Sequence, residues 1–238
     1  HYMDPHDPYF AHPYDGRGIA RVENQNPDPE QAAEMLELYA GEIQYMDESF
    51  GDLIATLKEH DIYDNTLIVF TADHGEEFQE HGGWWHGTTL YEEQVAVPLI
   101  AKFPAGSLVP ARPQGVGRLL DIAPTILAAS GTAIPREWQG ADLALPIPSH
   151  RVAFAEEDHE GNIITAARNA RLKLIRANAG NPRGLPELEL FDLQRDPGEQ
   201  ENVAGDRPVE VEDLDREVVA ITTGAAQEAV ANDGEVEM

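Results

Sequence analysis

Asn65-Thr66-Leu67-Ile68-Val69-Phe70-Thr71-Ala72-Asp73-His74-Gly75-Glu76 is the stretch that decides the fold. Thr66–Thr71 is a continuous β-prone run. Such a run suits a strand buried on both faces, as in a parallel sheet covered by helices. It ends directly in Asp73-His74-Gly75. In open α/β sheets, ligands bind beyond the carboxyl ends of strands. An aspartate and a histidine at that point can ligate one cation from a rigid support, and Gly75 lets the backbone turn away. Taken alone, the tripeptide reads equally as a strand-to-loop turn capped by Asp73, with His74 on the surface.

Upstream, the segment feeding this strand is a helix. Asp28 can cap it, Pro29 occupies the first helical position, and Gln31 completes a capping-box pattern. Met35, Leu38, Tyr39, Ile43, Met46, Phe50, Leu53, Ile54 and Leu57 then recur at helical spacing, which predicts one helix over 29–60. A helix feeding a buried-type strand is an α/β signature. Downstream, Asp73 to Val97 reads as a long loop rich in Gly, His and Trp. Pro98–Phe103 reads as a second strand and Arg118–Ser130 as a helix that Gly131 ends. Residues 132–150 carry Pro135, Pro146 and Pro148 and read as a linker. Beyond them lie four short strand candidates: Val152–Glu156, Ile163–Arg168, Leu172–Arg176 and Leu188–Leu193. Gly161-Asn162 and Asn169 sit where hairpin turns are expected, a helix covers about 208–231, and Asp233–Met238 is an acidic tail. The expected division is an α/β domain over 1–148, followed by a small antiparallel subdomain with a terminal helix over 149–238.

Acidic residues number 44 and basic residues 16, a net charge of −28, and only Lys58, Lys102 and Lys173 are lysines. Such a surface repels nucleic-acid phosphates and anionic lipid. No apolar run is long enough to span a bilayer. The bland account of the acidity is solubility or adaptation to salt. An enzyme of anionic esters would need a local positive site of metal, His and Arg inside this negative exterior. There is no cysteine, hence no disulfide framework and no thiolate metal site. Compartment and oligomeric state stay open.

Three clusters carry the chemistry. Tyr2-Met3-Asp4-Pro5-His6-Asp7-Pro8-Tyr9, preceded by His1, holds His6 in a loop stiffened by prolines at 5 and 8. The second is Asp73-His74-Gly75. The third, His81-Gly82-Gly83-Trp84-Trp85-His86-Gly87, places two histidines in a Gly-rich loop. There His81 and His86 can bind an anionic ester oxygen or a metal, or donate a proton to a leaving group. The alternative is a loop packed by Trp84 and Trp85 with incidental histidines.

These pieces resemble the sulfatase family of the alkaline-phosphatase-like superfamily, in its carboxy-terminal half. In the family's order they are Asp4–Tyr9, a helix carrying Tyr45-Met46-Asp47, Asn65–Glu76, His86-Gly87-Thr88-Thr89-Leu90-Tyr91-Glu92, Val97-Pro98-Leu99-Ile100 and Asp121-Ile122-Ala123-Pro124-Thr125. Glu189-Leu190-Phe191-Asp192-Leu193 and Asp196-Pro197-Gly198-Glu199-Gln200-Glu201-Asn202 follow, like the family's small terminal subdomain. The resemblance implies an alkaline-phosphatase-like sheet covered by helices and hydrolysis of sulfate esters, with a small molecule or saccharide as the organic part. It implies that Asp73 and His74 ligate a divalent cation, most often calcium, with manganese or zinc also compatible with an imidazole ligand. His6 matches the histidine that contacts the sulfate group, and His86 falls where many arylsulfatases carry a sulfate-binding lysine. His81 is a further substrate-binding candidate, and Asp47 matches a structural position of the long helix.

The family nucleophile is a Cys or Ser oxidised to formylglycine in a Cys/Ser-x-Pro-x-Arg motif. Ser107-Leu108-Val109-Pro110-Ala111-Arg112 has one residue too many and the wrong place in the order. Formylglycine and the paired metal-binding aspartates are therefore expected upstream. The resemblance implies a chain that begins within a family domain and is inactive alone. A phosphomonoester, phosphodiester or phosphonate hydrolase of the same superfamily is the alternative chemistry, and a non-catalytic fragment or binding module is the alternative class.

Overall fold

The computed structural model describes residues 2–22, 24–109 and 114–235, with side chains described as far as residue 223. His1, residues 110–113 at the end of the rejected Ser107–Arg112 match, and tail residues 236–238 lie outside the described residues. The chain forms two compact units, one of residues 1–86 and 98–107, the other of residues 87–97 and 108–238.

The first unit is built on the long helix α1 (Ala32–Glu59), entered through a 3-10 turn at Pro29–Gln31. The expected capping box forms. The Asp28 carboxylate accepts from Glu30 N at 3.1 Å, and Gln31 Oε1 accepts from Asp28 N at 3.0 Å. Two orphan amides of the first turn are thereby satisfied. Met35, Leu38, Glu42 and Met46 form the buried stripe of α1. The strand pair β1 (Tyr9–Phe10) and β2 (Gly18–Ile19) and the hairpin β4 (Glu77–Phe78) and β5 (Trp84–Trp85) supply the other buried residues. Tyr9, Ala11, Met35, Leu38, Phe78, Trp84 and Trp85 make one buried cluster. Tyr9 is its centre, stacked on Trp85 and edge-on to Tyr39. Each such large side chain contributes about 1.5–3 kcal/mol on burial.

The run Thr66–Thr71 yields β3 (Ile68–Thr71), and the second expected strand yields β6 (Leu99–Lys102). They pair with each other and antiparallel, Ile68 opposite Lys102 and Thr71 opposite Leu99. The sequence assigned neither strand a partner or a direction. An apolar run reports that a strand is covered but carries no information on the direction of its neighbour. The cover is also incomplete, since β3 is half-buried and Ile100 of β6 is exposed.

The second unit contains the helix α2 (Glu92–Val95), the helix α3 (Ile122–Ala129) and a four-stranded antiparallel meander. Its strands are β7 (Ala153–His159), β8 (Asn162–Arg168), β9 (Leu172–Ala177) and β10 (Leu188–Asp192), and α4 (Pro208–Glu235) follows. Glu160 and Gly161 turn the β7–β8 hairpin with positive φ. Asn169 turns the next, its side-chain oxygen accepting from Arg171 N and Leu172 N at 2.8 Å each. Alternation divides the sheet residues. Ala167, Leu172, Leu174 and Leu190 pack with Val211 and Leu214 of α4. Ile164, Ala166, Ile175 and Phe191 pack with Leu90 and Tyr91. On that second face Lys173 is fully buried, with Nζ 3.0 Å from Glu92 and 2.9 Å from Glu199. The stretch 132–150, expected as a linker, is tied down: Asp121 Oδ1 accepts from Ala141 N and Thr125 Oγ1 from Leu143 N, both at 2.9 Å. Asp121 also takes both terminal nitrogens of Arg151, at 2.6 and 2.8 Å.

Candidate functional site

Three imidazoles meet in the first unit. His6 comes from the loop before β1, His74 from just beyond β3, and His86 from just beyond β5. Ring centroids are 4.0 Å apart for His74 and His86, 5.6 Å for His6 and His86, and 6.3 Å for His6 and His74. One nitrogen of each lies within 4.8 Å of one nitrogen of the other two. Residues up to 80 positions apart in the chain thus converge at the end of β3.

The hydrogen bonds of the three rings share a pattern. His6 Nδ1 lies 2.7 Å from the carbonyl oxygen of Asp7, and His74 Nδ1 lies 2.9 Å from that of Gly75. His86 Nδ1 lies 3.0 Å from Glu76 Oε1. A carbonyl oxygen only accepts, so Nδ1 of His6 and His74 must donate. A carboxylate likewise takes the proton of His86 Nδ1. In each ring this leaves Nε2 as the nitrogen free to meet a ligand.

Glu76 and Tyr9 stand behind His86, and sequence reasoning quoted both without giving them a role. Glu76 is buried, and its second oxygen accepts from the Tyr9 hydroxyl. Burial, and after it the Glu76 charge, push the Tyr9 pKa up, so the phenol stays a donor. Tyr9–Glu76–His86 is therefore a fixed line from the aromatic core to the imidazole. Glu77 shapes the same hairpin. Its buried carboxylate accepts from Gly83 N at 2.7 Å and His81 N at 3.3 Å. A Cβ at Gly83 would fall 2.7 Å from that carboxylate and would displace it. Glu42 supports the His6 loop. Buried on the apolar stripe of α1, it accepts from Phe10 N at 2.7 Å and from the His6 amide, and burial raises its pKa to about 7. A signal for Glu42 existed in the sequence, because a glutamate interrupts the apolar stripe between Leu38 and Met46. Tyr9 and Glu76 had none, since they meet across 67 residues.

Asp73 lies at the rim, its side chain 86% exposed, with Oδ1 accepting from His74 N at 3.1 Å and standing 3.9 Å from His74 Nε2. A carboxylate oxygen and an imidazole nitrogen at that separation can share one cation. His81 sits in the turn between β4 and β5 and is not among the grouped imidazoles.

The sulfatase family model matches residues 1–132, and that for the C-terminal region of N-sulphoglucosamine sulphohydrolase matches residues 79–221. The chain belongs to the sulfatase family. The match holds all three imidazoles and Asp73. Among curated sulfatases, the N-acetylglucosamine-6-O-sulfatase of Bacteroides thetaiotaomicron is 28% identical over 180 residues, 70% of this chain and 31% of that protein. Arylsulfatase K of Homo sapiens is 30% identical over 194 residues, 74% of this chain and 34% of that protein. Choline-sulfatase of Rhizobium meliloti is 27% identical over 237 residues, 85% of this chain and 45% of that protein. The chain thus spans between 31% and 45% of their length.

The fold is that of the alkaline-phosphatase-like sulfatases. A structure solved with its substrate D-glucosamine-2-N,6-O-disulfate superposes with a TM-score of 0.64 at 26% identity, over 80% of this chain and 40% of that one. The phosphonate monoester hydrolase of Agrobacterium radiobacter superposes with a TM-score of 0.66 at 24% identity, over 89% of this chain and 45% of that one, a likeness of fold. Among the described residues no helix is long and apolar enough to cross a membrane.

Proposed function

We propose that this chain supplies the anion-holding and proton-delivering side of a sulfate-ester hydrolase acting on a sulfated saccharide. The observation that carries the reading is the set of three imidazoles at the end of β3, each with Nδ1 committed to an oxygen acceptor. In their doubly protonated form, with Nδ1–H already given to an acceptor, His6 and His86 present Nε2–H to the ester oxygens, and His86 in that form gives its Nε2 proton to the departing alcohol oxygen. Glu76 holds the His86 ring so that Nε2 is the atom presented, and Tyr9 holds Glu76. His81, in the adjacent turn, is assigned to the organic part of the substrate. The saccharide is favoured by the relatives, one named for N-acetylglucosamine-6-O-sulfate and one solved with a glucosamine disulfate.

Asp73 and His74 fit a divalent cation as a partial donor set, with an exposed carboxylate oxygen 3.9 Å from an imidazole nitrogen. Calcium is the assigned ion, because the carboxylate is a hard oxygen donor open to solvent. Held by Asp73 and His74, such an ion would supply positive charge to the ester oxygens. Formylglycine is the nucleophile this assignment calls for, and the 238 residues contain neither a cysteine nor a Ser-x-Pro-x-Arg motif from which it could form.

Inorganic sulfate tests the reading directly. Titration of the chain, followed in imidazole 1H–15N spectra, is expected to shift His6 and His86. His6→Ala or His86→Ala should weaken binding at least tenfold, and Asp73→Ala should remove a calcium effect on it. Sulfate binding that is indifferent to both histidines would sink the reading. An equal response to methylphosphonate would favour the phosphorus-ester alternative.

A further inference from the structure

The same three rings carry a second capacity. Calcium prefers oxygen, and three imidazoles offer it none. We propose that His6, His74 and His86 form a three-nitrogen site for a borderline-soft divalent ion, zinc first, whose occupancy displaces the anion. The displacement clause rests on the reading above; the metal site stands without it.

The donor set is the first support. One nitrogen of each ring lies within 4.8 Å of the others. Tetrahedral zinc with Zn–N bonds of about 2.0–2.1 Å needs its nitrogens roughly 3.4 Å apart. Modest side-chain rotation closes that gap, and a fourth position stays open for water. The hydrogen bonds are the second support. Metal-ligating histidines usually donate their other ring nitrogen to a carboxylate, a backbone carbonyl or water, which fixes the ring and raises its basicity. Here all three do so, two to carbonyls and one to the buried Glu76. Glu76 is itself held by Tyr9 from the aromatic cluster. Three independent surface histidines would not be expected to share such an arrangement.

Asp73 separates this site from the calcium site. Its side chain is open to solvent and lies outside the imidazole group. Calcium binding should therefore depend on Asp73, and zinc binding should depend on His6 and His86. Only His74 serves both, so the two ions should exclude one another. Zinc would also occupy the Nε2 lone pairs whose protons the sulfate oxygens require, so it should act as an inhibitor.

The test is calorimetry of the 238-residue chain with zinc chloride in a large excess of magnesium, which saturates the many surface carboxylates. One zinc per chain is expected. His6→Ala, His74→Ala and His86→Ala should each weaken it at least tenfold, and Asp73→Ala should change it less than threefold. If an alanine variant does not fold, the wild-type chain answers alone. Long-range 1H–15N spectra should show three Nε2 signals moving at one equivalent of zinc while Nδ1 stays protonated. Binding unchanged in His6→Ala or His86→Ala, a tenfold loss in Asp73→Ala, or Nε2 signals that do not move would overturn the site. Zinc binding as expected together with sulfate binding indifferent to His6 and His86 would keep the metal site and remove the proposed function.

Discussion

Replacing Lys173 by methionine removes the buried cation of the second unit. Its ammonium lies 3.0 Å from Glu92 and 2.9 Å from Glu199. At an effective dielectric near 20, each contact is worth about 5–6 kcal/mol of attraction. Burying the ions offsets most of that, so the intact cluster adds little net stability. Removing the one shared cation is different. Glu92 keeps Arg168, whose Nε is 3.0 Å away, but the fully buried Glu199 loses the Lys173 ammonium while keeping the amide of Glu92. The expected cost is about 3–5 kcal/mol at pH 8, a fall of about 6–20 °C in Tm. Burial already raises the Glu199 pKa, with Lys173 opposing the rise. A carboxyl raised on folding contributes stability that is full below its unfolded pKa and is lost as pH rises. The Lys173→Met deficit should therefore be smaller at pH 5 than at pH 8, and adding Glu199→Gln should recover much of it at pH 8. Urea unfolding followed by circular dichroism measures all of these. A cost below about 1 kcal/mol, or equal costs at the two pH values, would refute the reasoning, since the loss of a buried ammonium beside a buried carboxylate costs more than that and titrates.

Asp192 titrates with the opposite sign. Hydrogen bonds from Arg171, followed by those from Arg207, hold its pKa at about 2 against an ordinary 3.8. Its contribution should be present above about pH 4 and lost as pH falls through about 2, and Asp192→Asn should flatten the urea midpoint over that range. Asp28→Ala removes the acceptor of Glu30 N; a loss of about 1 kcal/mol is expected, with faster amide exchange confined to the first turn of α1. Glu77→Ala removes a carboxylate acceptor from the amides of His81 and Gly83. It should cost about 1–3 kcal/mol and speed Gly83 amide exchange, and unchanged exchange would show that the carboxylate does not hold the hairpin.

Elements whose causes are local were legible in the sequence. The helix over 29–60 could be read because Asp28, Pro29 and Gln31 act within one turn and the apolar stripe repeats every three or four residues. The meander could be read from Gly161, Asn169 and period-two alternation, and its strands fall within a few residues of expectation. The pairs β1–β2 and β4–β5 were missed because two-residue strands carry no period. The tying of 132–150 to Asp121 and Thr125 was missed because proline content reports backbone restriction and says nothing of where a segment docks.

Of the site, the sequence by itself determined the inventory: Asp73 and His74 at a strand end, His6 between prolines, His86 in a glycine-rich loop. Local propensity and motif order depend on residues a few positions apart, which a sequence displays. Only the tertiary structure decided that the three rings converge, that Tyr9 and Glu76 stand behind His86, and that β3 and β6 run antiparallel. Each of those depends on groups far apart in the chain, up to 80 positions, brought together by burial of a shared core. The hydrophobic drive behind that burial is non-directional, and a string of residues does not encode which distant partners it brings into register.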